Sequence, residues 1–380
     1  MKVKKLDISN LKIGTEATFI TAIEDGINTI NRIEKSGYDS AWISDHIMGW
    51  TPESIWHPDI IKAASFNKYP HHFYEAFSIL SVAGWATSKI NIGTSVTEVF
   101  RRHPAVLAQT ALTQDNISKG RFILGIGAGE GENVIPYGIE WKKPVSRLEE
   151  ALKIIRLLWE SNEKVSYDGS FWKLKDAILQ VNPYEKDTFP PIWVAAHGPR
   201  MLDITGKLAD GWFPAYSTPT QYNEKLKIIK SSAKNVDRDP NSITPALFSY
   251  VIIDDDHGEC EDILRTPMIK NQLLQLPNSV FEQYNTTHPF GEDFYGLLEY
   301  IPTKYDKETI LSAIDEIPDE MCKDIYLHGT VDEIIEKIEE YAKAGLKHMV
   351  LCNHTYLADP LKIRSSFKCM KRVLEYFKDT

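Results

Sequence analysis

The chain has 380 residues, of which 43% are hydrophobic and 25% are charged, and its formal net charge at neutral pH is -10. This composition is typical of a globular protein and excludes a disordered or fibrous chain. The acidic balance argues against nucleic acid as a partner, because no block of Lys and Arg beyond the short KVKK near the start could neutralise phosphates.

The sequence predicts a cytoplasmic protein with no membrane partner. Its first residues, MKVKKLDISNLKIG, lack the apolar core of a signal peptide, and no run of about 18 apolar residues occurs anywhere. The cysteines are scattered without a C-x-x-C pair, which argues against a zinc site or a redox dithiol. They are Cys260, Cys322, Cys352 and Cys369.

Apolar periodicity predicts helices that alternate with short strands along most of the chain. In chain order the predicted elements are helix 22–36, strand 40–43, helix 77–86, strand 90–92, helix 105–117, strand 122–126, helix 147–159, hairpin 165–172 with a turn at 168–169, strand 191–196, helix 201–208, strand 211–214, helix 221–234, strand 246–253, helix 331–344 and strand 348–351.

This alternation predicts an α/β protein with a parallel sheet, and about eight strands fit a (β/α)8 TIM barrel better than an open sheet. We therefore expect one barrel domain over residues 1–380. A plain barrel needs about 250 residues, so insertions must supply the remainder. We place them at residues 47–74, which are rich in aromatic residues, and at 259–324, which look helical but unpatterned.

A glycine-rich turn follows the predicted strand 122–126. Glycines alternate at positions 125, 127, 129 and 131, so backbone amides there could approach a flat or anionic ligand. The dinucleotide fingerprint G-x-G-x-x-G fails, because Glu130 or Glu132 stands where its third glycine should be. The alternative is a tight turn that binds no ligand.

Polar residues follow four separate strands of the predicted barrel, at the end where barrel enzymes place their working residues. They are Asp45-His46, Ser95, Glu130 and His197-Gly198. We expect these residues to meet at one mouth of the barrel.

His46 is the best candidate for a general acid or base, because imidazole titrates near neutral pH. A capping or core-edge histidine is the alternative. Glu130 is either a second proton carrier, a group that recognises a ring nitrogen, or a solvated loop carboxylate. Trp50 either stacks on a planar cofactor, stabilises developing charge, or packs inside the first insertion.

No metal site is expected. His71, His72 and Glu75 are close in sequence, but adjacent histidines point in different directions and no third spaced ligand completes the set. A hydrolase elbow G-x-S-x-G and a P-loop are also missing, so hydrolase and kinase functions fit poorly.

Several ordered motifs resemble one family over nearly the whole chain. They are SDHIMGW at residues 44–50, IGTSVTEVFRRHPAVLAQTA at 92–111, SKGRFILGIGAGEGEN at 118–133, WVAAHGP at 193–199 and LADGW at 208–212. Together they resemble the luciferase-like flavin monooxygenase superfamily, and specifically its branch that uses coenzyme F420, a deazaflavin.

The resemblance implies a (β/α)8 barrel, usually a homodimer, that holds the deazaflavin in its mouth and passes a hydride to or from ring carbon C5. A dehydrogenase or reductase of a small-molecule substrate follows. By similarity, Asp45 binds the coenzyme, His46 exchanges the substrate proton, Trp50 flanks the reacting centre and Glu130 serves the ring as proton partner. The resemblance also implies a non-prolyl cis peptide between Ser95 and Val96, and further coenzyme contacts at Thr97, Ala128, Gly129, Asn133, His197 and Gly198.

The sequence indicates less about the substrate than about the coenzyme. The sugar-phosphate dehydrogenases of this branch use a lysine in a loop that here reads Ser217-Thr218-Pro219-Thr220, so a sugar phosphate is disfavoured. The segment 328–351 resembles both methylenetetrahydromethanopterin reductases and ketoreductase-like members, and we favour an alcohol or ketone in a pocket shaped by the first insertion. The alternatives are an FMN-dependent two-component monooxygenase and a non-catalytic flavin-binding barrel.

Overall fold

The computed structural model describes residues 11–17 and 22–379. Its strands are β1 Lys12–Glu16, β2 Ser40–Ile43, β3 Asn91–Thr94, β4 Phe122–Ile126, β5 Val165–Asp168, β6 Lys173–Ala177, β7 Ile192–Val194, β8 Gly211–Trp212, β9 Thr244–Ile253, β10 Leu327–Gly329 and β11 His348–Asn353. Its helices are α1 Ile23–Ser36, α2 Ala76–Ala86, α3 Pro104–Ser118, α4 Pro144–Trp159, α5 Pro199–Leu208, α6 Pro219–Lys234, α7 His257–Leu264, α8 Pro267–Leu273, α9 Asn278–Phe281, α10 Lys307–Asp315, α11 Asp319–Ile325, α12 Val331–Lys343, α13 Thr355–Ala358 and α14 Ile363–Asp379.

Eight strands close into a parallel barrel in the order β1-β2-β3-β4-β7-β8-β9-β11. The ring closes where β11 pairs with β1, with His348 opposite Lys12. Strand β10 lies outside the ring and pairs with the end of β9, and β5 and β6 form a separate antiparallel hairpin. The predicted (β/α)8 barrel is therefore confirmed.

The apolar pattern missed four elements, namely β1, β10, α13 and α14. Strand β1 is buried at its centre, but that centre reads Ile13-Gly14-Thr15 and contains only one large apolar residue. The predicted hairpin is present, but its turn begins at Gly169 and not at Asp168. The Gly169 N–H donates to the Trp172 carbonyl at 3.0 Å and so closes this turn.

Aromatic side chains fill the interior of the barrel. The Trp42 ring lies with its centroid 4.4 Å from that of Phe213 and 5.1 Å from that of Trp193. Gly93 makes room for it, since a Cβ at that position would lie 2.7 Å from the Trp42 ring. This interior is a packed core, so a ligand must bind at the end of the barrel.

The two predicted insertions pack on each other. Residues 47–74 contain only short 3-10 turns, whereas residues 259–324 contain α7 to α11. Ile55 and Ile61 of the first insertion share one buried apolar cluster with Leu273 and Phe281 of the second. Within the described residues, no helix is both long and apolar enough to cross a membrane.

Candidate active site

The predicted site residues lie at the carboxyl ends of β2, β3, β4 and β7, which are neighbours in the barrel. The structure brings His46, Trp50, Glu130 and Asn133 together, and it joins Asp45 to Thr97. His197 and Gly198 lie exposed at the end of β7, where Gly198 caps α5. Their expected coenzyme contacts stay predictions.

Asn133 fixes the protonation pattern of His46. The Asn133 Oδ1 accepts hydrogen bonds from the backbone N–H groups of Ile47 at 2.7 Å and Met48 at 3.2 Å. The amide NH2 must then face the imidazole, and Asn133 Nδ2 lies 2.8 Å from His46 Nδ1. Since Nδ1 accepts this bond, the neutral ring carries its proton on Nε2. His46 is therefore ready to donate a hydrogen bond through Nε2.

The indole of Trp50 joins two carboxyl groups. Its Nε1 lies 3.3 Å from Glu130 Oε2 and 3.1 Å from Glu132 Oε1, and its ring meets the His46 ring edge-on with centroids 5.0 Å apart. Its carbonyl accepts a hydrogen bond from Asn271 in the second insertion at 3.1 Å. Trp50 is thus held in place by two carboxyl groups that follow the glycine-rich turn and by Asn271 of the second insertion.

Glu130 and Glu132 form a carboxyl pair beside His46. Their nearest oxygens lie 3.6 Å and 3.8 Å from His46 Nδ1, and the Glu130 side chain is 24% exposed whereas that of Glu132 is 0% exposed. Burial, reinforced by the neighbouring Glu130, raises the pKa of Glu132 well above its usual range. The sequence alone predicts no role for Glu132, although the E-x-E spacing after a buried strand and its glycine-rich turn was the available signal.

Asp45 lies in a buried network of charges. Its carboxylate pairs with Arg102 at 2.6 Å and with Arg101 at 3.0 Å, and it accepts a hydrogen bond from Thr97 Oγ1 at 2.6 Å. Burial acts to raise the pKa of Asp45, but the two guanidinium groups outweigh it and lower the pKa. In this structure Asp45 anchors the loop that carries His46, and its predicted contact with the coenzyme stays a prediction.

The sequence analysis assigned no role to the two arginines. The signal was the Arg101-Arg102 dipeptide shortly after the end of β3, inside a motif that had been noted only for its resemblance.

The peptide bond between Ser95 and Val96 is cis, as predicted. This segment is tied to β4, because the Thr97 N–H donates to the Gly125 carbonyl at 2.9 Å and the Gly127 N–H donates to the Thr97 carbonyl at 2.8 Å. The Ser95 hydroxyl is buried and finds no hydrogen-bond partner among residues 11–17 and 22–379. A buried hydroxyl without a partner at the end of a barrel strand suits a ligand with polar edges, as the ring of a flavin or deazaflavin has.

The glycine-rich turn presents little side-chain bulk beside this segment. Gly129 has a positive φ of 98° and lies against Trp141, whose ring would be 3.1 Å from a Cβ at this position. Ala128 is only partly buried. The expected coenzyme contacts of Ala128 and Gly129 stay predictions, whereas the polar atoms of Asn133 are already engaged with the protein.

His46, Glu130 and Glu132 each offer one donor atom within 4.8 Å of the others, a spacing that could suit a metal ion. Hydrogen bonds already engage each of these side chains, because the Asn133 amide donates to His46 Nδ1 and the Trp50 indole donates to one oxygen of each carboxyl group. We therefore assign the cluster to proton and hydrogen-bond chemistry. The expectation that the protein needs no metal stays a prediction.

The chain is similar to known proteins over most of its length. The family model for luciferase-like monooxygenases matches residues 10–348. The phthiodiolone/phenolphthiodiolone dimycocerosates ketoreductase of Mycobacterium tuberculosis is 39% identical over 330 residues, which cover 86% of this chain and 86% of that protein. The 5,10-methylenetetrahydromethanopterin reductase of Archaeoglobus fulgidus is 28% identical over 318 residues, which cover 83% of this chain and 86% of that protein.

Solved structures share the fold at lower identity. An F420-dependent secondary alcohol dehydrogenase in complex with an F420-acetone adduct has a TM-score of 0.74 and 23% identity, and the match covers 96% of this chain and 99% of that one. Other structures of the same fold contain FMN or a modified FMN. The fold therefore does not discriminate between the two cofactors.

Proposed function

Because the chain belongs to the luciferase-like monooxygenase family and is an oxidoreductase, we propose that it uses coenzyme F420 to transfer a hydride to or from a small organic substrate with a ketone or secondary alcohol group. The observation that carries this proposal is His46, whose Nε2 has no hydrogen-bond partner among the described residues and can donate at the barrel mouth beside Trp50 and Glu130. The similarity to ketoreductases supports it.

When bound, coenzyme F420 supplies a two-electron hydride donor or acceptor at C5. The residues that would hold it are those around the cis peptide, with the free Ser95 hydroxyl among them. His46 Nε2 would donate a hydrogen bond to the substrate carbonyl and stabilise the negative charge that develops on its oxygen, as a neutral imidazole can. Glu130 is the more exposed carboxyl of the cluster, so it is better placed than Glu132 to exchange the required proton with solvent.

A groove beside the glycine-rich turn, lined mainly by apolar residues together with Glu299 and Lys304, would hold a substrate with a largely apolar body. Its volume is about 510 Å³, and it lies between the loop after β4 and the second insertion. Leu298 in the wall of this groove packs closely on Gly131, since a Cβ at Gly131 would lie only 2.6 Å from the Leu298 carbonyl oxygen. Gly131 stands between Glu130 and Glu132, so the groove borders the carboxyl pair. The groove is lined by Ile135, Trp141, Pro144, Tyr295, Leu298, Glu299, Ile301 and Lys304. That aromatic residues of the first insertion shape the substrate pocket stays a prediction.

A fluorescence titration of the purified protein with coenzyme F420 and, separately, with FMN tests the cofactor. Saturable binding of F420 and hydride exchange with ketones or secondary alcohols are expected. Preference for FMN, with oxygen consumption in the presence of a flavin reductase, would support the two-component monooxygenase instead.

A substitution at His46 tests the assignment of the reacting group. His46→Ala is expected to lower turnover by about 100-fold or more while F420 binding is retained, because general acid–base and electrostatic groups act on the chemical step. His57→Ala is the matched control, since the His57 side chain is 64% exposed and pairs only with the exposed Asp59. Full turnover in His46→Ala would refute the role of His46, whereas a lack of hydride exchange in the unaltered protein with cofactor bound would support a non-catalytic flavin-binding barrel.

A further inference from the structure

We propose that Glu130 and Glu132 share a single proton, that Glu132 is the protonated member, and that Glu132 acts as a positioning residue for Trp50 and Asn133. This inference concerns the site of the proposed function, but it depends on the carboxyl pair itself and not on which cofactor binds. It gives a role to a residue for which neither the resemblance nor the proposed mechanism accounts.

The hydrogen bonds divide the two oxygens of Glu132 into different roles. Oε1 accepts the Trp50 indole N–H at 3.1 Å and the Asn133 amide N–H at 3.0 Å. Oε2 is buried and receives no hydrogen bond from any of the described residues. A carboxylate would leave this second oxygen charged and unsolvated, whereas a carboxylic acid with its proton on Oε2 carries no charge at this buried position.

Among residues 11–17 and 22–379, Glu132 forms no ion pair with a lysine or an arginine that would stabilise a second negative charge. Within the described residues, the titratable groups that face it are Glu130, His46, Tyr300 and Tyr137. His46 is neutral while Asn133 donates to its Nδ1. Two like charges in such a site cannot both ionise readily, so the fully buried member keeps the proton.

The site therefore contains one carboxyl group that keeps its proton, Glu132, next to one that can exchange protons with solvent, Glu130. A neutral Glu132 holds Trp50 and Asn133, and through Asn133 it holds the His46 ring. The partly exposed Glu130 then bears the charge beside His46 and can exchange protons with solvent. Glu132→Gln preserves this arrangement, because a carboxamide is neutral, accepts through its oxygen and donates through its nitrogen.

Infrared difference spectroscopy on the coenzyme-free protein at neutral pH tests the proposal directly. The unaltered protein is expected to show the carbonyl band of a protonated carboxylic acid, and Glu132→Gln is expected to lose it. Glu150→Gln is the matched control, because Glu150 is also buried but accepts backbone N–H groups of Ser170, Phe171 and Trp172. It should leave the acid band unchanged.

Turnover provides the second readout. Glu132→Gln is expected to lose less than about tenfold, because the hydrogen bonds remain, whereas Glu130→Gln is expected to lose about 100-fold. The proposal is overturned if Glu132→Gln leaves the acid band intact, or if Glu130→Gln removes the band in its place. It is also overturned if Glu132→Gln lowers turnover as much as Glu130→Gln.

A further measurement keeps the test valid if Glu132→Gln does not fold. The acid band of the unaltered protein is then followed as the pH rises, with Asp115→Asn as reference, because burial also raises the pKa of Asp115. A band that persists above neutral pH after the Asp115 contribution is subtracted supports the proposal, and its loss below neutral pH overturns it.

The infrared result is independent of the cofactor, so preference for FMN would refute the proposed function and leave this inference standing.

Discussion

Replacing Asp45 by Asn removes the charge at the centre of the buried network beneath His46. The Asp45 side chain is 2% exposed, and it pairs with Arg101 at 3.0 Å and with Arg102 at 2.6 Å. Breaking a buried ion pair by removing one partner typically lowers the free energy of unfolding by about 3–5 kcal/mol. Each arginine keeps a second carboxylate, Glu98 at 2.5 Å from Arg101 and Glu75 at 2.5 Å from Arg102. We therefore expect the lower end of that range, about 3 kcal/mol.

Urea unfolding of Asp45→Asn and of the unaltered protein measures this loss. Asp168→Asn is the control, because Asp168 forms an ion pair with Lys173 at 2.8 Å but is 85% exposed, and no measurable change is expected there. A loss below about 1 kcal/mol for Asp45→Asn would refute the reasoning, since that is the value of an ordinary exposed ion pair.

The pH dependence of the same difference follows from the direction of the pKa shift. The pKa of Asp45 is lower in the folded protein than in the unfolded chain, where aspartate titrates near about 3.9. Its stabilising contribution is thus fully present above that value and is lost as the pH falls through the lower folded pKa. The stability gap between the two proteins should stay constant from neutral pH to about pH 5 and shrink below about pH 4. A gap that widens in acid would contradict the assignment.

Two further predictions concern the groups around His46. Asn133→Asp keeps an acceptor for the Ile47 and Met48 N–H groups but places an oxygen against His46 Nδ1, which favours a proton there and adds a charge beside Glu132. Turnover should fall by about 100-fold or more while the fold is retained, and unchanged turnover with an unchanged pH profile would disprove the tautomer argument. Prolonged treatment with EDTA should leave turnover unchanged, because hydrogen bonds engage the side chains of the cluster; inactivation that added Zn²⁺ reverses would instead establish a metal ion.

Local sequence patterns were sufficient for the barrel and for the meeting of His46 with Glu130. Strand β4 reads FILGI and is buried throughout, which an apolar run before a glycine turn predicts well. Because parallel barrel strands all end at the same rim, residues that follow different strands could be placed together without any knowledge of their side-chain contacts.

Local patterns could not predict partners that lie far apart in sequence. Asp45 and its partner Arg102 lie 57 residues apart in sequence. Without knowledge of that partner, the Asp45 carboxylate looks available to bind a coenzyme. Glu132 is similar, because its role depends on the fact that Trp50 and Asn133 use one of its oxygens and leave the other buried. Burial and hydrogen-bond partners of this kind arise only when the barrel has closed.

The closure of the barrel also has a consequence for synthesis of the chain. Strand β1 needs β11 as its second neighbour, and Thr15 faces Leu351 across that last seam. At about 5–20 residues per second, the ribosome takes on the order of tens of seconds to make the intervening chain. During that time β1 has an open edge that other chains can join. Efficient production of this protein should therefore depend on chaperones or slow, cool expression more than on the stability of the finished barrel.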